Sequence, residues 1–278
     1  MPELPEVQTV VAELQEARLL GHRITDVKIW WQKIVATPQV DKFRRDLTGQ
    51  TLADFTRRGK FIMIKLQSGK WLLIHLRMTG QLLILPANRP VTKHEYVILR
   101  FDDRRTLRYH DPRKFGRLYL VDEPEQIISN LGWEPLDRAF TLKAFSAKLS
   151  RFKRQIKPLL LDQTFIAGLG NIYVDEALFE AYLHPLRSAN SLKPPEIAAL
   201  HRAIRRVLRK GIQNRGTSLG NGKANFASIN RRRGRNQESL KVFQRQGQDC
   251  PRCGTVIRRI AVGQRSTHFC PHCQRQNR

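Results

Sequence analysis

The sequence predicts an α+β protein: a β-rich N-terminal half capped by a helix, a helical half behind it, and a metal-held hairpin at the C-terminus. Three observations carry this. Short β-rich segments separated by turn signals fill the chain from Ile24 to Val121. Apolar residues at helical spacing open the chain and return after Leu136. All four cysteines fall in two Cys-x-x-Cys pairs near the C-terminus.

The first helix is set by Val7, Val10, Val11, Leu14 and Ala17, with Glu6 in its first turn and Gly21 just past its end. Pro2 and Glu3 therefore stand just ahead of a helix N-terminus, where backbone N–H groups and the helix dipole favour anions such as phosphate. Met1-Pro2-Glu3-Leu4-Pro5-Glu6 by itself fits an ordinary helix start, since Pro and Glu are common there. A second reading is chemical. Removal of Met1 leaves Pro2 with a secondary α-amine, whose pKa of about 7.7–8.0 lies below the roughly 10.4 of lysine. Its uncharged fraction can form a Schiff base, and Glu3 sets a carboxylate beside it.

The β layer reads as Ile24 to Trp30, Leu52 to Arg57, Lys60 to Leu66, Trp71 to Leu76, Gln81 to Leu85, Tyr96 to Phe101, Thr106 to Tyr109 and Arg117 to Val121. Such segments imply an antiparallel sandwich or barrel. Three features interrupt it. Arg57-Arg58-Gly59-Lys60 sets a cation at the start of a strand, beside a glycine that admits close backbone approach; the plain alternative is a solvated edge lysine. Arg77-Met78-Thr79-Gly80 and His110-Asp111-Pro112-Arg113-Lys114-Phe115-Gly116 are loops carrying a large apolar residue. Met78 and Phe115 are either core residues folded under their loops or wedges that enter a base stack beside arginine.

After a linker around Asp122 to Leu136, Thr141 starts a helix through Ala144, Phe145 and Leu149, and Pro158 stands near the start of the next. Ile166-Ala167-Gly168-Leu169-Gly170-Asn171 turns into a helix carrying Ile172, Ala177 and Leu178, and its N-terminus with Asn171 could hold a phosphate. Pro194 opens a helix whose buried stripe is Ile197, Leu200, Ile204, Val207 and Leu208. From Gly216 to Gln237 the chain is Gly-, Asn- and Arg-rich without periodicity and reads as a mobile loop.

Cys250-Pro-Arg-Cys253 and Cys270-Pro-His-Cys273 are separated by 16 residues, the spacing of a four-thiolate zinc ribbon. Arg258, Arg259, Gln264 and Arg265 would project from the hairpin between them. Fifty Lys plus Arg against 24 Asp plus Glu give a net charge of +26, spread along the 278 residues. That surplus calls for a polyanionic partner, nucleic acid rather than membrane, since no basic amphipathic helix, lipidation site or membrane-spanning run is present. An N-terminus that is acidic and has no apolar signal core leads to the expectation of a cytoplasmic protein.

Taken in order, these motifs resemble the bacterial formamidopyrimidine-DNA glycosylase family: Met1 to Val7, Gly59-Lys60, His75-Leu76-x-Met78-x-Gly80, Asp111-Pro112-Arg113-x-Phe115-Gly116, Gly168-x-Gly170-Asn171-Ile172-Tyr173, and Gln264-Arg265-Ser266-Thr267 before Cys270. The resemblance implies an N-terminal β-sandwich capped by helices and a C-terminal helix-two-turn-helix domain with a β-hairpin zinc finger. Its divisions fall at 1–121 (catalytic domain), 122–136 (linker), 137–215 (helix-two-turn-helix), 216–240 (mobile lesion-capping loop) and 241–278 (zinc finger).

It further implies a DNA-repair enzyme that flips 8-oxoguanine or a formamidopyrimidine out of duplex DNA, removes it through a Pro2 Schiff base, and nicks the abasic strand by β,δ-elimination. Pro2, Glu3, Lys60 and Arg265 would be catalytic. Met78, Arg113 and Phe115 would fill the vacated stack, Asn171 and Arg265 would grip flanking phosphates, and His94, Lys153 and Lys157 would touch the backbone. Cys250, Cys253, Cys270 and Cys273 would hold one structural Zn2+. The partner is double-stranded DNA with oxidised purines or abasic sites; the protein would be a monomer at the bacterial nucleoid. Two positions depart from the family pattern. Lys114 stands where a second arginine is expected, and residues 219–239, which would close over the extruded base, follow a different sequence. Competing readings are an endonuclease VIII-like enzyme for oxidised pyrimidines and a non-enzymatic zinc-ribbon nucleic-acid binding protein.

Overall fold

The computed structural model describes residues 1–220 and 226–276. The chain forms two compact units, Met1–Asn130 with Asn214–Arg235, and Leu131–Gln213 with Asn236–Arg278.

The first unit runs α1 (Leu4–Glu16), β1 (Ile24–Ile29), β2 (Val35–Thr37), α2 (Val40–Leu47), β3 (Leu52–Arg58), β4 (Phe61–Leu66), β5 (Trp71–His75), β6 (Gln81–Pro86), β7 (Glu95–Phe101), β8 (Arg105–His110), β9 (Arg117–Val121) and α3 (Glu125–Ile128). Its strands form two sheets, β1-β7-β8-β6 and β2-β9-β5-β4-β3. Val27, Val97, Leu99 and Leu107 of the first sheet share one apolar core with Phe55, Ile62, Ile74 and Leu118 of the second, and Val7, Val10, Val11 and Leu14 of α1 close it. The choice left open between sandwich and barrel is thus a sandwich, with α1 seated on it through β3 and β4.

Two elements were not legible beforehand. β2 has three residues, and it pairs parallel with β9, the one parallel pairing among these strands of the described residues. α2 buries only Phe43 and Leu47, too few for a clear period.

Residues 216–240 were expected to form one mobile lesion-capping loop, and its described flanks, as far as Arg235, pack on the first unit. Phe226 is 2% and Ile229 1% exposed, and both join the sandwich core. Ser218 Oγ donates to the Phe226 carbonyl (2.7 Å) and accepts from Gly234 N–H (2.8 Å), so the two flanks are cross-braced. Residues 221–225, the centre of the expected lesion cap, lie outside the described residues.

The second unit holds α4 (Leu142–Leu149), α5 (Ile156–Leu161), α6 (Asn171–Glu180), α7 (Pro194–Gln213) and the hairpin β10 (Arg258–Val262) with β11 (Arg265–Phe269). Thr141 caps α4 by accepting from Ala144 N–H at 3.2 Å. Between α5 and α6, the Gln163 amide donates to the Leu161 and Leu169 carbonyls (2.9 and 2.8 Å) and accepts from Gly168 N–H (3.0 Å), which fixes the turns. α6 and α7 approach so closely at Gly211 that a Cβ there would stand 2.6 Å from the Tyr173 ring. Among the described residues no helix is long and apolar enough to cross a membrane.

Candidate active site

Behind exposed Met1 the chain is buried from Pro2 to Val7. Pro2 is buried and Glu3 is 3% exposed. Glu3 is the N-cap of α1 in extended conformation (φ −107°, ψ −171°), and its side chain accepts from the Glu6 N–H. In return Glu6 Oε2 accepts from Glu3 N–H at 2.8 Å. This reciprocal pair satisfies two helix-end donors and holds the residue beside Pro2 in one geometry. The second Glu6 oxygen accepts from Thr217 N–H at 2.7 Å. Adjacent Gly216 has φ +79°, and a Cβ there would stand 3.0 Å from Glu6 Cγ and 3.1 Å from the Phe226 ring. Glu6 therefore ties the start of α1 to segment 214–235. Sequence reasoning did not single out Glu6 for this, because a capping box is signalled by Ser or Thr at the N-cap and here a glutamate fills that position.

Lys60 follows Gly59 (φ +55°) in the β3–β4 turn and is 5% exposed, so it is not a solvated edge lysine. Arg57 anchors this turn to α1: its Nε donates to Gln8 Oε1 (3.0 Å) and its Nη1 to the Gly59 carbonyl (2.9 Å). Next to Lys60, Phe61 pairs with His75 across β4 and β5. Burial first, then the charges of Arg77 and Lys60, push the His75 pKa down to about 3. His75 is thus a neutral imidazole whose Nδ1 accepts from Arg77 N–H at 3.0 Å.

Met78 is 38% and Phe115 45% exposed, which rules out the reading of both as folded-back core residues. The Arg113 guanidinium lies 4.7 Å from the centroid of the Phe115 ring. Lys114, the departure from the expected arginine, has φ +60° and sends its ammonium over Trp31 and Tyr96 (5.8 and 5.3 Å). His94, at φ +75° just before β7, is half-buried with Nδ1 3.1 Å from the Tyr96 hydroxyl.

In the second unit, Lys153 is exposed between α4 and α5. Asn171 is the first residue of α6; its Nδ2 donates to the Ser266 carbonyl at 2.8 Å, and its buried Oδ1 has no hydrogen-bond partner among the described residues. Arg265 is exposed at the end of the β10–β11 turn, where Gly263 (φ +53°) and Gln264 (φ +60°) are both left-handed. Two such residues match the right-handed twist of a hairpin, and they leave Arg265 projecting at the start of β11.

Lys157, expected to touch the DNA backbone, is buried in this structure. Its side chain is 0% exposed, with Nζ 2.5 Å from Asp175 Oδ1 and 3.0 Å from the Ser266 carbonyl. Asp175 Oδ2 in turn accepts from His268 N–H at 2.9 Å. Lys157 thus joins α5 and α6 to the hairpin.

The four cysteines form one cluster with sulfurs all within 4.8 Å of one another. Cys253 lies 3.5 Å from Cys270 and 3.4 Å from Cys273, and Cys250 lies 3.9 Å from Cys273. A tetrahedral zinc with Zn–S bonds of about 2.3 Å needs sulfurs roughly 3.8 Å apart. Burial and the neighbouring thiols push Cys273 up to about 12, so a thiolate at that position calls for a divalent cation. The donor set fits one structural Zn2+ that holds the β10–β11 hairpin.

Comparison with known proteins covers nearly the whole chain. The family model for the formamidopyrimidine-DNA glycosylase N-terminal domain matches residues 1–118, that for its H2TH domain residues 131–221, and that for the zinc finger found in FPG and IleRS residues 247–276. A formamidopyrimidine-DNA glycosylase of Protochlamydia amoebophila is 45% identical over 276 residues, spanning 99% of this chain and 100% of that protein. One of Herpetosiphon aurantiacus is 46% identical with the same coverage. A solved Lactococcus lactis FPG variant in complex with Fapy-dG-containing DNA superposes with a TM-score of 0.91 at 37% identity, covering 99% of this chain and 100% of that one. The wild-type Lactococcus lactis protein has also been solved with DNA containing an oxidised pyrimidine, at a TM-score of 0.90 and 37% identity, covering 99% of this chain and 100% of that one.

Proposed function

The chain belongs to the formamidopyrimidine-DNA glycosylase family, and from that premise we propose that it is a bifunctional enzyme of base excision repair. It extrudes an oxidised purine, 8-oxoguanine or a formamidopyrimidine, from duplex DNA, removes the base, and cuts the strand at the abasic site by β,δ-elimination. The observation that carries this reading is the buried Pro2-Glu3 pair, fixed ahead of α1 by the reciprocal Glu3–Glu6 hydrogen bonds.

Cleavage of Met1 frees the Pro2 secondary amine, which near neutral pH is partly uncharged without special burial. Its lone pair attacks the sugar C1′ as the C1′–N bond to the base breaks, and the base leaves with that electron pair and a proton. Glu3 moves protons at the sugar and base, a task that needs reach more than an unusual pKa. The product carries both the Pro2 nitrogen and O4′ on C1′; once that nitrogen has lost its proton, its lone pair forms the cationic imine as the C1′–O4′ bond breaks and O4′ takes a proton by way of Glu3, opening the ring. The imine acidifies the C2′ proton, so loss of that proton expels the 3′ phosphate. A second elimination expels the 5′ phosphate. Lys60, buried on the first unit, and Arg265, exposed on the second, are the cations that balance developing negative charge on phosphate in this reading.

Met78, Arg113 and Phe115 fill the gap left by the extruded nucleotide, with Arg113 facing the estranged cytosine. Asn171, with the N–H groups at the start of α6, holds a phosphate flanking the lesion. His94 and Lys153 add backbone contacts. A net charge of +26 supports recruitment to DNA, and the protein works in the bacterial cytoplasm at the nucleoid.

The test is borohydride trapping on duplexes carrying 8-oxoguanine opposite cytosine, with a thymine glycol duplex alongside. The expected result is a covalent adduct that mass spectrometry maps to Pro2. No adduct, or one confined to an internal lysine, would sink the mechanism. Preferential trapping by thymine glycol would transfer the protein to the oxidised-pyrimidine reading.

A further inference from the structure

The residues assigned to fill the base stack sit on two separate loops, Met78 between β5 and β6, Arg113 and Phe115 between β8 and β9. Each loop tip is exposed, yet the two share one buried foundation. Asp111 is 0% exposed. Its Oδ1 accepts from the Thr79 hydroxyl at 2.5 Å and from Arg113 N–H at 3.2 Å, and its Oδ2 accepts from Gly116 N–H at 2.8 Å. One carboxylate therefore receives a donor from the Met78 loop and two from the Arg113–Phe115 loop.

Tyr109 lies beneath both. Its hydroxyl is buried with no hydrogen-bond partner among the described residues. A Cβ built on Gly80 would fall 2.1 Å from that oxygen, and one on Gly116 1.7 Å from it. Neither glycine has the left-handed φ that alone would require one. Both are there for space: the phenol fills a cradle to which each loop contributes its closing glycine.

We propose that Thr79 is a positioning residue that locks the two loops into one insertion unit, so that Met78 enters the stack in register with Arg113 and Phe115. The inference rests on the reading that these three side chains fill the vacated stack. The physical reason is preorganisation. Ordering a rotamer-rich side chain at an interface opposes binding, and two loops held to the same buried carboxylate are ordered together before DNA arrives. The backbone donors of Arg113 and Gly116 hold Asp111 to its own loop, and the Thr79 hydroxyl supplies the side-chain link across to the other. A purely structural role for Thr79 would instead affect folding alone.

The experiment uses the full-length protein and a duplex carrying a tetrahydrofuran abasic analogue opposite cytosine, with 2-aminopurine as the neighbouring base. Stopped-flow fluorescence reads the unstacking that accompanies wedge insertion. Thr79→Val should slow that phase by at least about tenfold, since a hydrogen bond to a charged acceptor carries that much or more. Thr79→Ser, which keeps the hydroxyl, should restore it to within about twofold. Met78→Ala and Phe115→Ala should be strongly non-multiplicative in the Thr79 protein and multiplicative in the Thr79→Val background. Where valine lowers the melting temperature, Thr79→Ala is measured in its place and read the same way. Wild-type insertion rates in the hydroxyl-less variants, or coupling between Met78 and Phe115 that survives loss of the hydroxyl, overturn the inference and leave the proposed function intact. Absence of any fluorescence phase in the wild-type protein overturns the stack-filling reading and this inference with it.

Discussion

Replacing Lys157 by methionine separates a structural role from a DNA contact by two independent numbers. The substitution keeps most of the side-chain volume and removes an ammonium that is 0% exposed and 2.5 Å from Asp175. Asp175 is also 0% exposed, so it is left as a buried carboxylate that keeps the His268 N–H at 2.9 Å and the His268 ring at 3.2 Å. Breaking one side of such a pair costs about 3–5 kcal/mol. With a urea m-value of about 2 kcal/mol/M, the unfolding midpoint falls by about 2 M. The double variant Lys157→Met, Asp175→Leu should regain about half of this, because an apolar pair of similar volume often replaces a buried ion pair neutrally. Its residual loss is about 1–3 kcal/mol for the His268 N–H left without its acceptor. The assays are urea unfolding with saturating zinc and a salt titration of DNA affinity. The salt slope should stay at the wild-type value, whereas a lost phosphate contact would lower its magnitude by about 0.9. A stability loss below about 0.5 kcal/mol together with that change in slope would refute the burial argument.

Two further outcomes follow from the same geometry. Cys250→Ser should lower zinc content, measured by atomic absorption, and DNA affinity together by at least about tenfold, because the hairpin that presents Arg265 depends on the metal; unchanged zinc and affinity would reject the link. His75, depressed to about 3 from an ordinary 6.5, adds stability that is fully present above pH 6.5 and is lost as pH falls toward 3. Between pH 7.5 and 5.5 the wild-type protein should lose about 1.4 kcal/mol more than His75→Gln in urea unfolding, and equal losses would remove His75 from the account.

What the sequence disclosed and what it hid divide along a physical line. α1, the strands and the zinc cluster announce themselves through local signals, a period of 3.6 or 2 or a fixed Cys spacing, and each reappears where it was read. The features that build the site depend on partners far away in the chain. Glu6 meets Thr217 across 211 positions, and Thr79 meets Asp111 across 32. Lys157, ahead of Pro158 at a helix start in a strongly basic chain, carried no local mark that it would face Asp175 rather than solvent. Phe226 and Ile229 stand isolated among Gly, Asn and Arg, so no period betrays them, yet both enter the core. A parallel three-residue strand such as β2 is likewise below what alternation can reveal.

The membership of Asn214–Arg235 in the first unit bears on how this protein can be cut and recombined. The polypeptide passes between its two units at three places, after Asn130, Gln213 and Arg235. A gene truncated after residue 130 would encode a sandwich stripped of Phe226 and Ile229, and a Glu6 deprived of the Thr217 amide. Neither half is therefore a cassette. A chimaera that exchanges the N-terminal unit with a relative must carry residues 214–235 along with it, as an insert stitched into the middle of the other parent.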